Sequence, residues 1–190
     1  MLSELFSVPI KHLNFEHLNL KSIQEYCLSK SEPSLNYSNE GGYHSKYFDL
    51  KNDNVLHELG EKILSVSKQF CDELEVKQVT HIQNMWCILN KHSHYNREHI
   101  HPNSLLSGAF YPGEEYPDDC GELSFVHPGS KEMSYDWDNT QINYNKHNSL
   151  VMNVKPKKGM CLIFPSYISH YVRVNNNKDI NRLVISFNLK

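Results

Sequence analysis

The chain has 190 residues, 39% of them hydrophobic, with 19 basic and 22 acidic side chains and a formal net charge of −3. That size suits one domain with an adequate core, and the mixed charge, free of long like-charge blocks, excludes the footprint of a nucleic-acid binder or an acidic tail. No basic, apolar leader opens the chain, no apolar run reaches the roughly 18 residues of a membrane span, and five scattered cysteines without a Cys-x-x-Cys pair read as buried thiols. A cytoplasmic protein with no membrane association is expected.

The first 17 residues lack a clean period, with Val8, Pro9 and Ile10 suited to a short edge strand. From Asn19, a candidate N-cap, Leu20, Ile23, Cys27 and Leu28 recur at helical spacing, and Ser31-Glu32-Pro33-Ser34 stops the helix. Gly41-Gly42 signals a turn before an extended, aromatic segment over 43–50. A second helix is expected from an Asp53 cap, with Val55, Leu56, Leu59, Ile63, Val66 and Phe70 forming one apolar stripe. No helical period returns after Val76. Strands are expected instead over 79–89, 105–111, 122–126, 149–154, 160–164, 171–174 and 183–189. Two long loops, 112–120 and 129–148, the latter holding Trp137, are either lids or surface excursions. The pattern predicts a mainly β fold, an antiparallel sandwich or jelly roll with both helices packed on one sheet. One domain over 1–190 is expected, with 1–75 as a helical buttress with edge strands and 76–190 as the jelly-roll core.

The chain carries 12 histidines, most of them scattered singly. The stretch Arg97-Glu98-His99-Ile100-His101-Pro102 differs in kind. Residues i and i+2 of a strand share a face, so His99 and His101 can present two imidazoles to one point, as a facial metal site requires. A third ligand must come from elsewhere, and His170, after Phe164-Pro165-Ser166 at the head of an expected strand, is the candidate. Arg182 follows in the last strand; a buried arginine there suits a dicarboxylate, whose oxygens its planar fork meets with two parallel hydrogen bonds. Blander alternatives stand beside each: outward histidines on a wet strand, and a surface pair of Arg182 with Glu122 or Asp179. His92 and His94 also stand at i and i+2, but Asn90-Lys91, Ser93 and Asn96-Arg97 read as loop, so solvated histidines are expected there. Glu98 should point to the face opposite His99 and could ligate only through a bulge. Trp86, Tyr95, Phe110, Phe125 and Phe164 could wall a cavity, though each is better read as core.

In order, His99-x-His101, Ser107-Gly108-Ala109-Phe110-Tyr111, Gly121-Glu122-Leu123-Ser124-Phe125, Pro156-Lys157-Lys158-Gly159, Phe164-Pro165-Ser166, His170 and Arg182 resemble the 2-oxoglutarate- and Fe(II)-dependent oxygenases. The likeness covers about residues 80–190. It is greatest to the prolyl-hydroxylase-like branch and to bacterial and phage members with a His-x-His-Pro motif. The resemblance implies a double-stranded β-helix core of the jelly-roll, cupin-like type. It also implies iron held by His99, His101 and His170, and 2-oxoglutarate held at its distal carboxylate by Arg182 and Tyr111. Ser107 and Ser186, same-face neighbours of those residues, would face that cavity. Fe(II), 2-oxoglutarate and dioxygen would then couple decarboxylation of the cosubstrate to oxidation of a substrate C–H bond. One position departs from the superfamily pattern: His101 stands where a carboxylate is usual. A neutral imidazole leaves the ion one unit more positive, which favours the anionic cosubstrate.

Two other function classes fit the residues. A three-histidine cupin dioxygenase would use no 2-oxoglutarate and would leave Arg182 without a role, and a jelly-roll binding module would hold no metal. A hydrolytic zinc site is weaker, since only Glu98 stands near as a base. The substrate is open between a small molecule and a protein side chain, and the oligomeric state is equally open.

Overall fold

The computed structural model describes residues 7–30, 37–52, 54–136, 140 and 143–190. The stop signal at Ser31 to Ser34, the expected cap Asp53 and Trp137 lie outside these residues. The elements run β1 (Lys11–Asn14), α1 (Leu20–Ser29), β2 (Asn39–Glu40), β3 (Tyr43–His44), α2 (His57–Glu73), β4 (Ile82–Asn90), β5 (Tyr95–His99), β6 (Leu106–Phe110), β7 (Leu123–Val126), α3 (Ser130–Asp136), β8 (Val151–Val154), β9 (Met160–Pro165), β10 (His170–Val172) and β11 (Arg182–Leu189). They form a six-stranded sheet, β1-β9-β6-β11-β4-β3, and a five-stranded sheet, β2-β5-β10-β7-β8. The pairings are antiparallel, for instance along β11 with β4 and β6. From β4 onward the chain passes repeatedly between the sheets, which is the winding of a double-stranded β-helix.

Period-two alternation sorts side chains to the two faces of the larger sheet. Met85, Cys87, Phe110, Cys161, Ile163, Leu183, Ile185, Phe187 and Leu189 point outward, into a cluster shared with Leu20, Ile23 and Cys27 of α1 and Leu59, Ile63 and Phe70 of α2. Burying one such large side chain stabilises by about 1.5–3 kcal/mol. The opposite face contributes Trp86, Ile88, Ala109, Tyr111, Leu162, Phe164 and Val184 to a second cluster, between the sheets, with Leu123, Phe125 and Val172. Both helices therefore cover one face of one sheet, and the cavity lies on the other.

Several boundaries differ from the sequence reading. The edge strand is Lys11–Asn14, paired with β9, while Val8 and Ile10 pack against the inter-sheet cluster. Asn19 does cap α1, its Oδ1 accepting from the Ser22 amide at 3.1 Å. Helix α2 starts at His57, after Leu56, with no side-chain cap; burial of Leu56 and Leu59 sets its start instead. Gly41 and Gly42, both at positive φ, make the expected turn, but β2 and β3 join different sheets rather than one hairpin. The segment read as loop around Asn96-Arg97 is β5, a strand of mostly exposed polar residues held by pairing with β2 and β10. A helix absent from the reading, α3, lies in the 129–148 stretch; its residues are largely exposed and so carry no apolar period. Among the described residues, no helix is long and apolar enough to cross a membrane.

Candidate metal centre

Strand β5 ends on His99, directly opposite His170 at the head of β10. His101 lies beyond the end of β5, not in it; the strand stops short of Pro102, which has no amide hydrogen for a ladder. The His101 amide instead donates to the carbonyl of Ser166, at 3.0 Å, and this bond returns its ring to the same point. The ring centroids lie 4.4 Å apart for His99 and His170, 5.0 Å for His99 and His101, and 5.1 Å for His101 and His170. Their ligand atoms all fall within 4.8 Å of one another, and no carboxylate joins the group among the described residues. Glu98 stays outside the ligand group although it borders the cavity: its Oε1 accepts from Ser169 Oγ at 2.6 Å.

Two backbone carbonyls set the tautomers. His99 Nδ1 bonds the Arg97 carbonyl at 2.7 Å and His170 Nδ1 bonds that of Ile168 at 2.9 Å. A carbonyl only accepts, so each Nδ1 carries the proton and each Nε2 keeps its lone pair for a cation. Burial pushes the pKa of His170 down to about 3 and that of His101 to about 4, with neighbouring histidines adding to both. Burial lowers His99 as well. Three neutral imidazoles facing one point are a donor set for a transition-metal ion. His94, by contrast, is engaged by the Gly42 amide at 2.7 Å, and His92 is exposed, so that second pair builds no site.

The same cavity, about 480 Å³, is lined by the three histidines and by Tyr111, Arg182, Ser186 and Asn188. Arg182 is 1% exposed, so the surface pairing with Glu122 or Asp179 is replaced by an interior one. Glu122 pairs with Arg173 instead. Arg182 Nε donates to the Gly121 carbonyl at 3.0 Å and Nη2 to the Tyr111 hydroxyl at 3.1 Å, while Nη1 is buried with no partner among the described residues. Gly121 has φ +92°, and a Cβ there would stand 2.5 Å from the Arg173 carbonyl oxygen, so only glycine brings this carbonyl to the guanidinium. Burial raises the Tyr111 pKa, opposed by Arg182, so the phenol stays protonated. Tyr116, from the 112–120 loop, packs edge-on against Tyr111 and donates to the Leu183 carbonyl at 2.6 Å, closing this end.

Of the two serines, Ser186 lines the cavity, whereas the Ser107 hydroxyl is buried against Ser166 Oγ and Asn188 Oδ1, each at 2.7 Å. Ser107 thus braces Asn188 rather than lining the site. Asn188 itself went unnoticed in the sequence, although it shares the inward face of Arg182 and Ser186 at spacing two. The carbonyls of Gly121, Arg97 and Ile168 left no signal, being backbone. Phe110 is outward core, Phe125 inter-sheet core, and Tyr95 is 37% exposed, while Trp86 and Phe164 do wall the cavity. No described residue of the 129–148 stretch lines it.

A family model described as "Putative 2OG-Fe(II) oxygenase" matches residues 84–188. Comparison with curated proteins finds no match. Among solved structures, a Pseudomonas putida prolyl-4-hydroxylase is similar with a TM-score of 0.71 at 11% identity, over 97% of this chain and 93% of that one. A Trichoplax adhaerens prolyl hydroxylase, in complex with a hypoxia inducible factor oxygen degradation domain peptide fragment, gives 0.67 at 14% identity over 95% and 82%. HygX from Streptomyces hygroscopicus, with nickel and 2-oxoglutarate bound, gives 0.61 at 10% identity over 96% and 82%. At these identities the structural likeness is one of fold.

Proposed function

Because the chain belongs to the 2OG-Fe(II) oxygenase family, we propose that His99, His101 and His170 hold its iron and that Arg182 and Tyr111 hold the distal carboxylate of 2-oxoglutarate. The protein is an Fe(II)- and 2-oxoglutarate-dependent oxygenase. Its iron and cosubstrate, when bound, supply the oxidative decarboxylation that drives oxidation of a substrate C–H bond. The chain's own part is binding, orientation and exclusion of water. The Arg97 and Ile168 carbonyls aim two imidazole lone pairs, and the Ser166 carbonyl anchors the loop that carries the third.

One observation carries the cosubstrate assignment: Arg182 Nη1, buried, cationic and without a partner among the described residues, beside a protonated Tyr111 hydroxyl. A buried cation left partly unsatisfied is costly, and a carboxylate accepting from both nitrogen and phenol would relieve it. A cupin dioxygenase without 2-oxoglutarate leaves that nitrogen unexplained. Substrate, a small molecule or a protein side chain, would enter past the exposed rims of Tyr37 and Tyr47. Five buried free thiols fit a reducing, cytoplasmic setting.

The test is anaerobic loading with Fe(II) and 2-oxoglutarate, read by iron content and the visible metal-to-ligand charge-transfer band. His99→Ala and His170→Ala should fail to retain iron, and full iron content in both would overturn the ligand assignment. Arg182→Ala should keep iron and weaken 2-oxoglutarate at least ~30-fold, as truncating a buried charged partner does. An unchanged titration would remove Arg182 from the cosubstrate site.

A further inference from the structure

Four buried side-chain polar atoms have no hydrogen-bond partner among the described residues: Ser67 Oγ, Trp86 Nε1, Asn90 Oδ1 and Arg182 Nη1. Of their residues, Trp86 and Arg182 line the cavity. The carboxylate of 2-oxoglutarate accounts for Arg182. Nothing yet accounts for Trp86, whose buried donor goes without the hydrogen bond it would make in water.

The indole is held rather than loose. It sits on the inward face of β4 opposite Ser186 and is 6% exposed. His44 stacks on it at 5.5 Å and 13°, and Tyr47 leans against it at 5.7 Å. Its centroid is 6.0 Å from that of the proposed iron ligand His101. Tyr37 extends the ring wall from His44, at 4.9 Å. Tyr37 and Tyr47 are 54% and 53% exposed, so this wall runs from the mouth to the metal.

Among the described residues, this wall offers no free cation. Burial lowers the His44 pKa, which keeps that ring neutral. Arg97 pairs with Glu40 at 2.9 Å and donates to the Tyr37 carbonyl, and Glu98 is held by Ser169. An anionic substrate group set against these rings would lose its water without gaining a counter-ion, and would also face the Glu98 carboxylate in the same lining.

Resting on the oxygenase reading of this cavity, we propose that Trp86 is a substrate-binding residue whose indole N–H donates to an uncharged oxygen, a carbonyl or hydroxyl, of a substrate with a flat or ring-shaped portion lying against Tyr37 and Tyr47. The nitrogen is buried, so the bond forms as the half-exposed Tyr47 ring against the indole gives way to the incoming group. The substrate group bound here is thus an uncharged acceptor rather than an anion, and the rings supply contact area with little side-chain entropy to lose.

Indole nitrogen NMR tests this directly, because the chain has 2 tryptophans. Full-length protein labelled at the indole nitrogens and loaded with zinc and 2-oxoglutarate is titrated with N-methylacetamide or acetate. Trp86→Phe identifies the Trp86 signal by its loss, and Trp137→Phe identifies it by elimination should the first variant fold poorly. The expected result is a saturable downfield shift of the Trp86 N–H with N-methylacetamide and none with acetate. No shift with the amide, or a shift with acetate in its place, overturns the proposal. The charge-transfer band of the wild-type iron protein is read in parallel. Its absence would sink the oxygenase-site reading, whereas a normal band with an unmoved Trp86 signal sinks this inference alone.

Discussion

His101 is the residue at which this site departs from the superfamily pattern, and its chemistry is open to substitution. Replacing a neutral imidazole by a carboxylate lowers the charge of the metal unit by one. His101→Asp should therefore retain iron and bind the dianionic cosubstrate more weakly, by iron content and by titration of the charge-transfer band. An iron-free variant would mean that the surroundings accept only the longer imidazole. The buried histidines also set a pH dependence. An unfolded imidazole titrates near 6.5, whereas folded His170 and His101 are pushed down to about 3 and about 4. As pH falls below 6.5 the unfolded chain gains protons that the folded chain refuses, so stability is lost from there down to the folded values. Each histidine contributes up to about 1.4 kcal/mol per pH unit in that window. The urea midpoint of the metal-free protein should drop more between pH 7 and pH 5 than that of His170→Phe, and equal drops would contradict the burial of these rings.

Among the elements, β6 and β11 carry the site on one face and the helix-packed core on the other, and their close approach depends on Gly108. A Cβ there would lie 2.2 Å from the Phe187 ring and 2.4 Å from the Leu162 carbonyl oxygen, and the latter, as backbone, cannot step aside. Gly108→Ala should cost about 1–3 kcal/mol or more through overpacking, measured by urea unfolding. Asn19→Ala should cost about 1 kcal/mol by removing the cap of α1, with iron binding intact because α1 packs on the opposite face. The same elements show where sequence reading works. Alternation in β11 separated Arg182 and Ser186 from Ile185 and Phe187, since one face meets the core and the other the cavity. It did not find β5, whose exposed polar residues leave no apolar period; only the edges of β2 and β10 make that segment a strand.

At the level of the whole molecule, an ion bound by His99, His101 and His170 ties together β5, the loop after it and β10, segments joined otherwise by a short ladder. A metal held only by the folded state stabilises it by about 2.7 kcal/mol at a hundred times its dissociation constant. For a chain of this size that corresponds to a rise in Tm of about 5–10 °C. Manganese added to the wild-type protein should produce this rise and added to His170→Ala should not. A rise in both would place the ion elsewhere.

The sequence by itself determined which side chains could do the chemistry and in what order they occur: His99, His101, Tyr111, His170 and Arg182, the last on a strand whose alternation marks an inward face, and all behind two amphipathic helices. Residue type and order are local, and so is the alternation along β11; the strand that carries His99 was not legible, and His101 lies outside it. Only the tertiary structure decided that His99 meets His170 across β5 and β10, and that Arg182 reaches Tyr111 and the Gly121 carbonyl deep in the interior. It likewise assembled Trp86 with His44 and Tyr47. Those contacts depend on pairings between distant segments and on backbone carbonyls, which have no residue identity to read.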